Sequence, residues 1–308
     1  MNTKTLKYIL KRIILAVVTI WIIITITFFA MHAIPGGPFL SEKAITAEAQ
    51  AALEAKFGLD KPLGVQYLTY LKGVLTFDFG PSIKQRGRMV VDIILDGFKV
   101  SGKLGLEAAA CAFSLGIILG CAAAINHNKI IDRIIMVITT AFVAMPSFIV
   151  GSLLLIVFCV WLRWLPANGT TSAGLILPVI TLMLYPMSYV TRLTRSSMLD
   201  VLGQDYIRTA RAKGVSRRSM IYKHSLKNAC IPVLTYAGPE IAYIVTGSLV
   251  VEQIFAVPGI GRSFVKSITD RDYTMIMGTT IFLATLIIVM TLLTDILYKI
   301  VDPRIDFS

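Results

Sequence analysis

Residues 13–31 read IILAVVTIWIIITITFFAM, nineteen positions without a charged side chain. A helix needs about 20 mostly apolar residues to cross the hydrocarbon core of a bilayer, and this run supplies them. Four basic groups, Lys4, Lys7, Lys11 and Arg12, precede it with no acidic group among them. A cleaved secretory signal has a shorter apolar region followed by small residues in an A-x-A pattern. Here Ala30-Met31-His32-Ala33 lacks that pattern. The stretch reads as an uncleaved first transmembrane helix.

The rest of the chain repeats this composition. Of 308 residues, 56% are hydrophobic and 16% charged, against about a quarter charged in soluble domains. Mean hydropathy is +0.74. Apolar spans fall at 10–31, 104–125, 134–162, 175–195, 230–254 and 276–300. They predict an all-α polytopic membrane protein with six transmembrane helices. Pro146, Pro178, Pro186, Pro232 and Pro239 lie in or beside these spans, where neighbouring helices can re-satisfy the freed carbonyls. Cys111, Cys121, Cys159 and Cys230 each sit in an apolar run and form no CxxC pair. That argues against a disulfide framework or a zinc site.

Six spans put both termini on one side, and positive charge assigns the side. The turn 126–133 holds Lys129 and Arg133 against Asp132, and segment 192–227 holds nine basic groups against Asp200 and Asp205. Opposite, loop 33–97 carries seven basic and seven acidic groups, loop 163–174 only Arg163, and loop 256–275 three basic and two acidic groups. Both termini are therefore expected in the cytoplasm. The organisation expected is a first region 1–32, an extracytoplasmic loop 33–97 and a five-helix core 98–308 with a cytoplasmic loop at 200–228. Within 33–97, Thr46–Phe57 is rich in helix formers and ends at Gly58, a stop signal. A second short helix is expected over Val65–Leu75.

Few motifs suggest chemistry. Gly97-Phe-Lys-Val-Ser-Gly102-Lys103-Leu104 fits GxxxxGK, but Leu104 stands where Ser or Thr would hold magnesium and no strand precedes it. It reads as a basic membrane boundary. His32, His127 and His224 lie in separate segments, the first two reading as membrane boundaries, and no Ser/His/Asp set or metal-ligand cluster forms. No catalytic residue, metal site or cofactor is expected, and ATP, if used, is hydrolysed by another subunit. Glu240 lies about ten residues into the fifth span, beside Pro239. An ionisable group there raises a functional expectation: it lines a translocation path, or it pairs with a buried hydroxyl or basic group. Asp295 and Lys299 suit an i,i+4 pair. Gly116 and Gly120 form a GxxxG that permits close helix approach.

Residues 205–229, DYIRTARAKGVSRRSMIYKHSLKNA, gather seven basic groups against one Asp. Asp205 is a candidate N-cap, Tyr206–Lys213 a short helix, Gly214 its C-cap and Ser216 the cap of a second helix running through Asn228 and into Pro232. Three readings stand for this island. It is a solvated topology signal near anionic lipid, a nucleic-acid site, or a docking element for a cytoplasmic protein. Nucleic acid needs an aromatic or base-reading module, and Tyr206 with Tyr222 is thin support.

The glycine-centred loop resembles the loop of permease subunits in ATP-binding-cassette importers. The form Tyr206-Ile-Arg-Thr-Ala-Arg-Ala-Lys-Gly214, followed by His224-Ser-Leu-Lys-Asn-Ala229, is similar to the oligopeptide, dipeptide and nickel branch. Other matching pieces follow in order along nearly the whole chain. They include Pro35-Gly36-Gly37-Pro38, Phe77-Asp78-Phe79-Gly80-Pro81-Ser82, Met145-Pro146-Ser147-Phe148, Arg192–Met198, Leu249–Glu252, Pro258–Gly261, Arg271-Asp272-Tyr273 and Asp302-Pro303-Arg304. The Phe-Asp-Phe-Gly-Pro-Ser piece and Lys84 favour the first membrane subunit of an oligopeptide permease. The general family loop begins Glu-Ala-Ala, whereas here that register reads Arg208-Thr209-Ala210, and Glu240 matches no family position.

The resemblance implies a type I importer permease in a bacterial plasma membrane, itself without enzymatic activity. Implied partners are a second homologous permease, two ATP-binding subunits, an extracytoplasmic peptide-binding protein and the lipid bilayer, with no nucleic acid. The ATPase-docking helix would comprise Tyr206, Arg208, Thr209, Ala210, Arg211, Ala212, Lys213, Gly214, Val215 and Ser216. Dipeptide, glutathione or nickel import stays open, as does an ion-coupled secondary transporter. Against the last stand a single midplane carboxylate and no visible inverted repeat.

Overall fold

The computed structural model describes residues 3–35, 37 and 47–301, and the side chains at 9–35, 37, 48, 51–216 and 218–294. The expected Asp295–Lys299 pair, the terminal Asp302-Pro303-Arg304, Thr46 and parts of Pro35–Pro38 lie outside that description. The described residues contain helices and no strand. In chain order they are α1 (Thr3–Ala33), α2 (Ala47–Phe57), α3 (Leu63–Leu75), α4 (Val90–Ile125), α5 (Ile130–Ala144) and α6 (Ser147–Leu155). Next come α7 (Ile176–Leu202), α8 (Asp205–Ala212), α9 (Arg217–Ser219), α10 (Leu226–Ala229) and α11 (Ile231–Val245). The last three are α12 (Leu249–Ile254), α13 (Ile260–Asp270) and α14 (Tyr273–Val301).

Five stretches among the described residues are long and apolar enough to cross a membrane: Ile9–Ala33, Val90–Ile125, Ala173–Leu202, Ile231–Ile254 and Tyr273–Thr294. The chain is thus a multi-pass membrane protein. The expected third span, 134–162, is not one straight helix. It is α5 followed by α6 and a π-helical turn over Ile156–Trp161, bent by 103° at the break. Proline disfavours helical geometry in the residue before it, and Met145 is accordingly extended at ψ 128° ahead of Pro146. The expected fifth span also breaks, between α11 and α12, where Gly247 takes φ +93° and Ser248 Oγ caps α12 by accepting from Val251 N–H. The GxxxxGK segment lies inside α4, so its amides are committed to helix and cannot cradle a phosphate.

The chain divides into two compact units, Met1–Ser101 with Pro258–Ile296, and Gly102–Val257 with Leu297–Ser308. In the first, α2 and α3 form the short helices expected of the long loop. Phe28 and Met31 of α1 pack with Ile83, Tyr273, Ile276 and Met277. The Thr25 hydroxyl lies 2.8 Å from that of Tyr67, and His32 Nε2 lies 2.9 Å from Gln66 Oε1. Polar contacts thereby fix α3 on α1.

One carboxylate organises this unit. Asp272 precedes α14 and is 2% exposed. Its Oδ1 accepts from Met275 N–H (3.1 Å), which caps α14, and from Thr274 Oγ1 (3.0 Å) and Ile83 N–H (3.2 Å). Its Oδ2 accepts from the Ser82 hydroxyl and from Lys84 N–H (3.3 Å). Two motifs 190 residues apart, Phe77–Ser82 and Arg271–Tyr273, are therefore one structure.

The second unit is built around α7, which touches α5, α6, α10, α11 and α12. The GxxxG of α4 meets this helix. A Cβ at Gly116 would lie 2.9 Å from Met187 O, and one at Gly120 would lie 2.6 Å from Thr191 O. The expected close approach is present, and its partner is α7. Gly120→Ala is expected to destabilise the protein by about 1–3 kcal/mol, the usual cost of overpacking. A fall in the detergent melting midpoint relative to an exposed Gly64→Ala control measures it. Equal midpoints would contradict the packing.

Candidate functional site

The loop after α7 takes its shape from three local rules. First, α7 ends at Leu202, with Gly203 as its C-cap, and α8 begins at Asp205. The N-cap position belongs to Gln204, with φ −73° and ψ 149°, and its side chain makes no capping bond. Asp205, expected as the cap, is instead the first helical residue. There its charge favours the positive end of the helix dipole. Its 3.5 Å pair with Arg208 is between exposed groups and contributes little.

Second, Gly214 supplies the left-handed turn expected of it. Its φ is +79°. Val215 N–H bonds to Ala210 O (3.2 Å) and Gly214 N–H to Arg211 O (3.0 Å), the paired pattern of a Schellman C-cap. A Cβ at Gly214 would meet nothing within 4 Å, so the requirement for glycine here is conformational.

Third, Ser216 opens the second helix. Met220 N–H bonds to Ser216 O at 2.9 Å, and Ser219 N–H reaches Ser216 Oγ at 3.4 Å. The helix expected to run unbroken to Asn228 is interrupted by a π-helical turn at Met220–Ser225. Buried Ser225 donates its hydroxyl to Met220 O, five residues back, at 2.9 Å, which accommodates the wider turn. Asn228 Nδ2 donates to Tyr206 Oη at 2.8 Å, tying the two halves of the loop together.

Of the ten residues expected to dock a partner, eight are exposed, and Ala210 and Val215 are half-buried. The inward anchor of α8 is Ile207, 3% exposed. It faces a cavity of about 270 Å³ between α8, the end of α4 and Met220-Ile221, with Arg208 and Arg211 at its rim. Arg208 and Arg211 border this cavity yet stay exposed, and with Tyr206, Thr209, Ala212 and Lys213 they make up the accessible surface of α8. The arrangement is a short helix closed at its C-terminal end by the Gly214 turn and tied to the second helix through Tyr206, with polar and small residues exposed on it. It can bind another protein's cleft and contains no group poised for covalent chemistry.

A constellation that sequence reasoning did not assemble holds the helix leading into this loop. Arg195 of α7 donates from Nε to Asp132 Oδ1 (2.6 Å) and from Nη2 to Asp132 Oδ2 (2.8 Å). Asp132 Oδ2 also accepts from Asn128 N–H at 2.9 Å, with Asn128 at φ +62°. His127 Nδ1 lies 3.2 Å from Arg195 Nη2. His127, expected to mark a membrane boundary, belongs to this cluster. The available signal was one acid, Asp132, alone between two bases in a short turn.

Glu240 occupies the middle of α11, half-buried, one turn beyond Tyr236. The Tyr236 ring stacks on Tyr189 of α7 with centroids 4.3 Å apart. The buried Tyr236 hydroxyl lies beside the Glu240 carboxylate and interacts with it, the pairing with a buried hydroxyl that the sequence left open. Among the described residues no Lys or Arg pairs with Glu240.

Comparison with known proteins places these features in context. Residues 116–307 match the family model described as binding-protein-dependent transport system inner membrane component. Residues 5–100 match the N-terminal model for membrane components of such systems. The chain is 46% identical over 300 residues to the dipeptide transport system permease protein of Bacillus subtilis (strain 168), covering 97% of each chain. It is 44% identical to the oligopeptide transport system permease protein of Haemophilus influenzae and 42% identical to that of Escherichia coli (strain K12). Each of these two alignments spans 305 residues, 98% of this chain and all of the relative.

Proposed function

We propose that this chain, which belongs to the family of inner-membrane components of binding-protein-dependent transport systems, is the permease subunit of an ATP-driven importer of short peptides. The observation that carries the coupling part of this reading is the exposed helix α8 closed by its glycine turn. In a transporter whose motor is a separate protein, the force-bearing contact must be an element that moves as a body. A helix capped at Gly214 and tied through Tyr206 to Asn228 meets that need. Peptides as cargo follow from the relatives, whose names specify dipeptide or oligopeptide transport.

In this reading both termini and the basic loop face the cytoplasm, as the excess of basic groups at 192–227 supports. Two ATP-binding subunits dock on the outward face of α8, a second permease completes the path, and an extracytoplasmic binding protein delivers peptide. ATP binding favours one arrangement of the complex over another only through differential affinity. The α8 contact is where that difference enters this chain.

Gly214 provides the test. Valine at φ +79° is strained by about 1–3 kcal/mol, enough to unwind the cap and re-aim α8. Asparagine tolerates left-handed geometry. In the complete complex, Gly214→Val is expected to lower ATP-dependent peptide uptake and ATPase copurification about tenfold or more, a factor set by about 1.4 kcal/mol. The amount of chain in the membrane stays near wild type, and Gly214→Asn stays near wild type in all three measurements. Unchanged uptake and copurification in the valine variant would overturn the docking role. Gradient-driven uptake by the purified chain alone would favour a secondary transporter instead.

A further inference from the structure

The second unit exposes two chemically different helical faces. On α5 the exposed large side chains are Ile130, Ile131, Ile134, Val137 and Ile138, with Arg133 at its first turn and the small Thr140 and Ala141 near its end. That surface suits lipid tails. On α7 the exposed stripe instead runs Tyr185, Tyr189, Arg192 and Ser196, at helical spacing. On α11 Thr235 and Tyr243 are exposed together with Ile231 and Leu234, and half-buried Tyr236 and Glu240 lie beside Thr235 and Tyr243. The two stripes meet where Tyr189 stacks on Tyr236. Tyrosines at membrane interfaces form belts near helix ends, but Tyr189 is the fourteenth residue of the 27 in α7, and Glu240 the tenth of the 15 in α11. A carboxylate in mid-helix, one turn from the paired rings of Tyr189 and Tyr236 and without a Lys or Arg among its described neighbours, can receive a cation from outside.

We infer that Glu240, with the ring faces of Tyr189 and Tyr236, is a transient binding station for the primary ammonium of the transported peptide. The inference rests on the peptide-importer reading and adds to it a residue that selects cargo by charge. An α-ammonium is the one cationic group that every unmodified peptide carries, whatever its side chains. A carboxylate supplies the counter-charge. Aromatic faces attract a partly desolvated cation through the ring quadrupole, and they do so without the deep binding that would trap the cargo. Here the aromatic walls and the acid come from two helices, α7 and α11, so relative movement of those helices would open or close the station.

The test uses the reconstituted complete transporter with its binding protein. It compares uptake of an alanine tripeptide with that of the same peptide N-acetylated, both at saturating concentration. Because the binding protein is unchanged, a change in the ratio of the two rates belongs to the permease. Glu240→Gln is expected to lower the rate for the free-amine peptide about tenfold while changing the acetylated peptide less than about twofold. Admission of an acetylated peptide that wild type refuses has the same meaning. Glu240→Asp is expected to keep the wild-type preference. Tyr189→Leu, which removes one aromatic wall and no charge, is expected to shift the ratio in the same direction by about threefold, and it carries the test if Glu240→Gln fails to accumulate. Equal losses for both peptides would overturn the ammonium station and assign Glu240 a role in packing or in pairing with a neighbouring subunit. No change for either peptide would overturn it as well. Uptake of neither peptide by the wild-type complex would overturn the importer reading itself, and the station with it.

Discussion

Asp272→Ala is expected to cost about 3–5 kcal/mol and to lower the amount of protein in the membrane by tenfold or more. The residue is 2% exposed and accepts four hydrogen bonds, from Met275 and Ile83 N–H at Oδ1 and from Ser82 Oγ and Lys84 N–H at Oδ2, while the single Thr274 hydroxyl proton is shared between Oδ1 and Pro81 O. Removing it leaves the amides of Ile83, Lys84 and Met275 without their acceptor in a place water reaches poorly. It also removes the N-cap of α14, itself about 1 kcal/mol. The contributions overlap, so they do not sum in full. Asp272→Asn separates charge from geometry. Its oxygen can keep the three donors at Oδ1, but its amide nitrogen then faces the Lys84 N–H, donor against donor. Roughly half the loss is expected. Melting midpoints in detergent and protease sensitivity of the segment 80–90 report both variants. Cleavage near Gly87 should rise before the rest of the unit opens, because Asp272 supplies three of the bonds that tie Ser82–Lys84 to the start of α14, beside the Thr274 Oγ1 contact with Pro81 O at 3.0 Å. Wild-type midpoints and protection in the alanine variant would refute the anchor.

What the sequence disclosed and what it hid divide along a physical line. Run length and helix punctuation are local, so the first span, the α2–Gly58–α3 pair and the Gly214 turn were readable directly. Gly116-xxx-Gly120 announced a close contact, although only the fold shows that α7 is the partner. The 134–162 run looked like one span because its hydrophobicity is continuous. Yet one X-Pro step at Met145-Pro146 bends it by 103°, and hydropathy carries no record of direction. Asp205 illustrates a finer miss. An acid before a helix serves equally as N-cap or as first-turn residue, and the backbone geometry of Gln204 decided between them. Asp272 and Asp132 were seen only as members of motifs or of charge counts. Their partners lie 190 and 63 residues away in sequence, and no periodicity links such positions. Glu240 was visible as an anomaly from its place in an apolar span. The aromatic wall beside it was not, because Tyr189 belongs to another helix.

Breaking the Asp132–Arg195 pair is expected to be asymmetric, and the asymmetry follows from exposure. The Asp132 side chain is 4% exposed and the Arg195 side chain 21%. Arg195→Ala strands a nearly buried carboxylate with one backbone donor, Asn128 N–H, and the His127 ring for company. Loss of one partner from a buried pair costs about 3–5 kcal/mol, and this variant should lie in that range. Asp132→Ala strands a guanidinium that can turn toward water, so a smaller loss of about 1–3 kcal/mol is expected. Removing both, Asp132→Ala with Arg195→Ala, leaves no uncompensated charge and should recover part of the larger loss. The interaction term of that cycle is expected at about 1–3 kcal/mol. Arg195→Lys should recover little, because a single ammonium cannot reproduce the two parallel bonds to Oδ1 and Oδ2. The pair fixes α5 to α7 seven residues before α7 ends at Leu202. Its loss should therefore reach α8 as well. Peptide uptake in the complete complex is expected to fall further than the membrane level of the chain does, since α8 would be less firmly aimed. Uptake falling only in proportion to protein level would confine the pair to stability, and equal losses for the two single alanine variants would show that exposure does not set the cost.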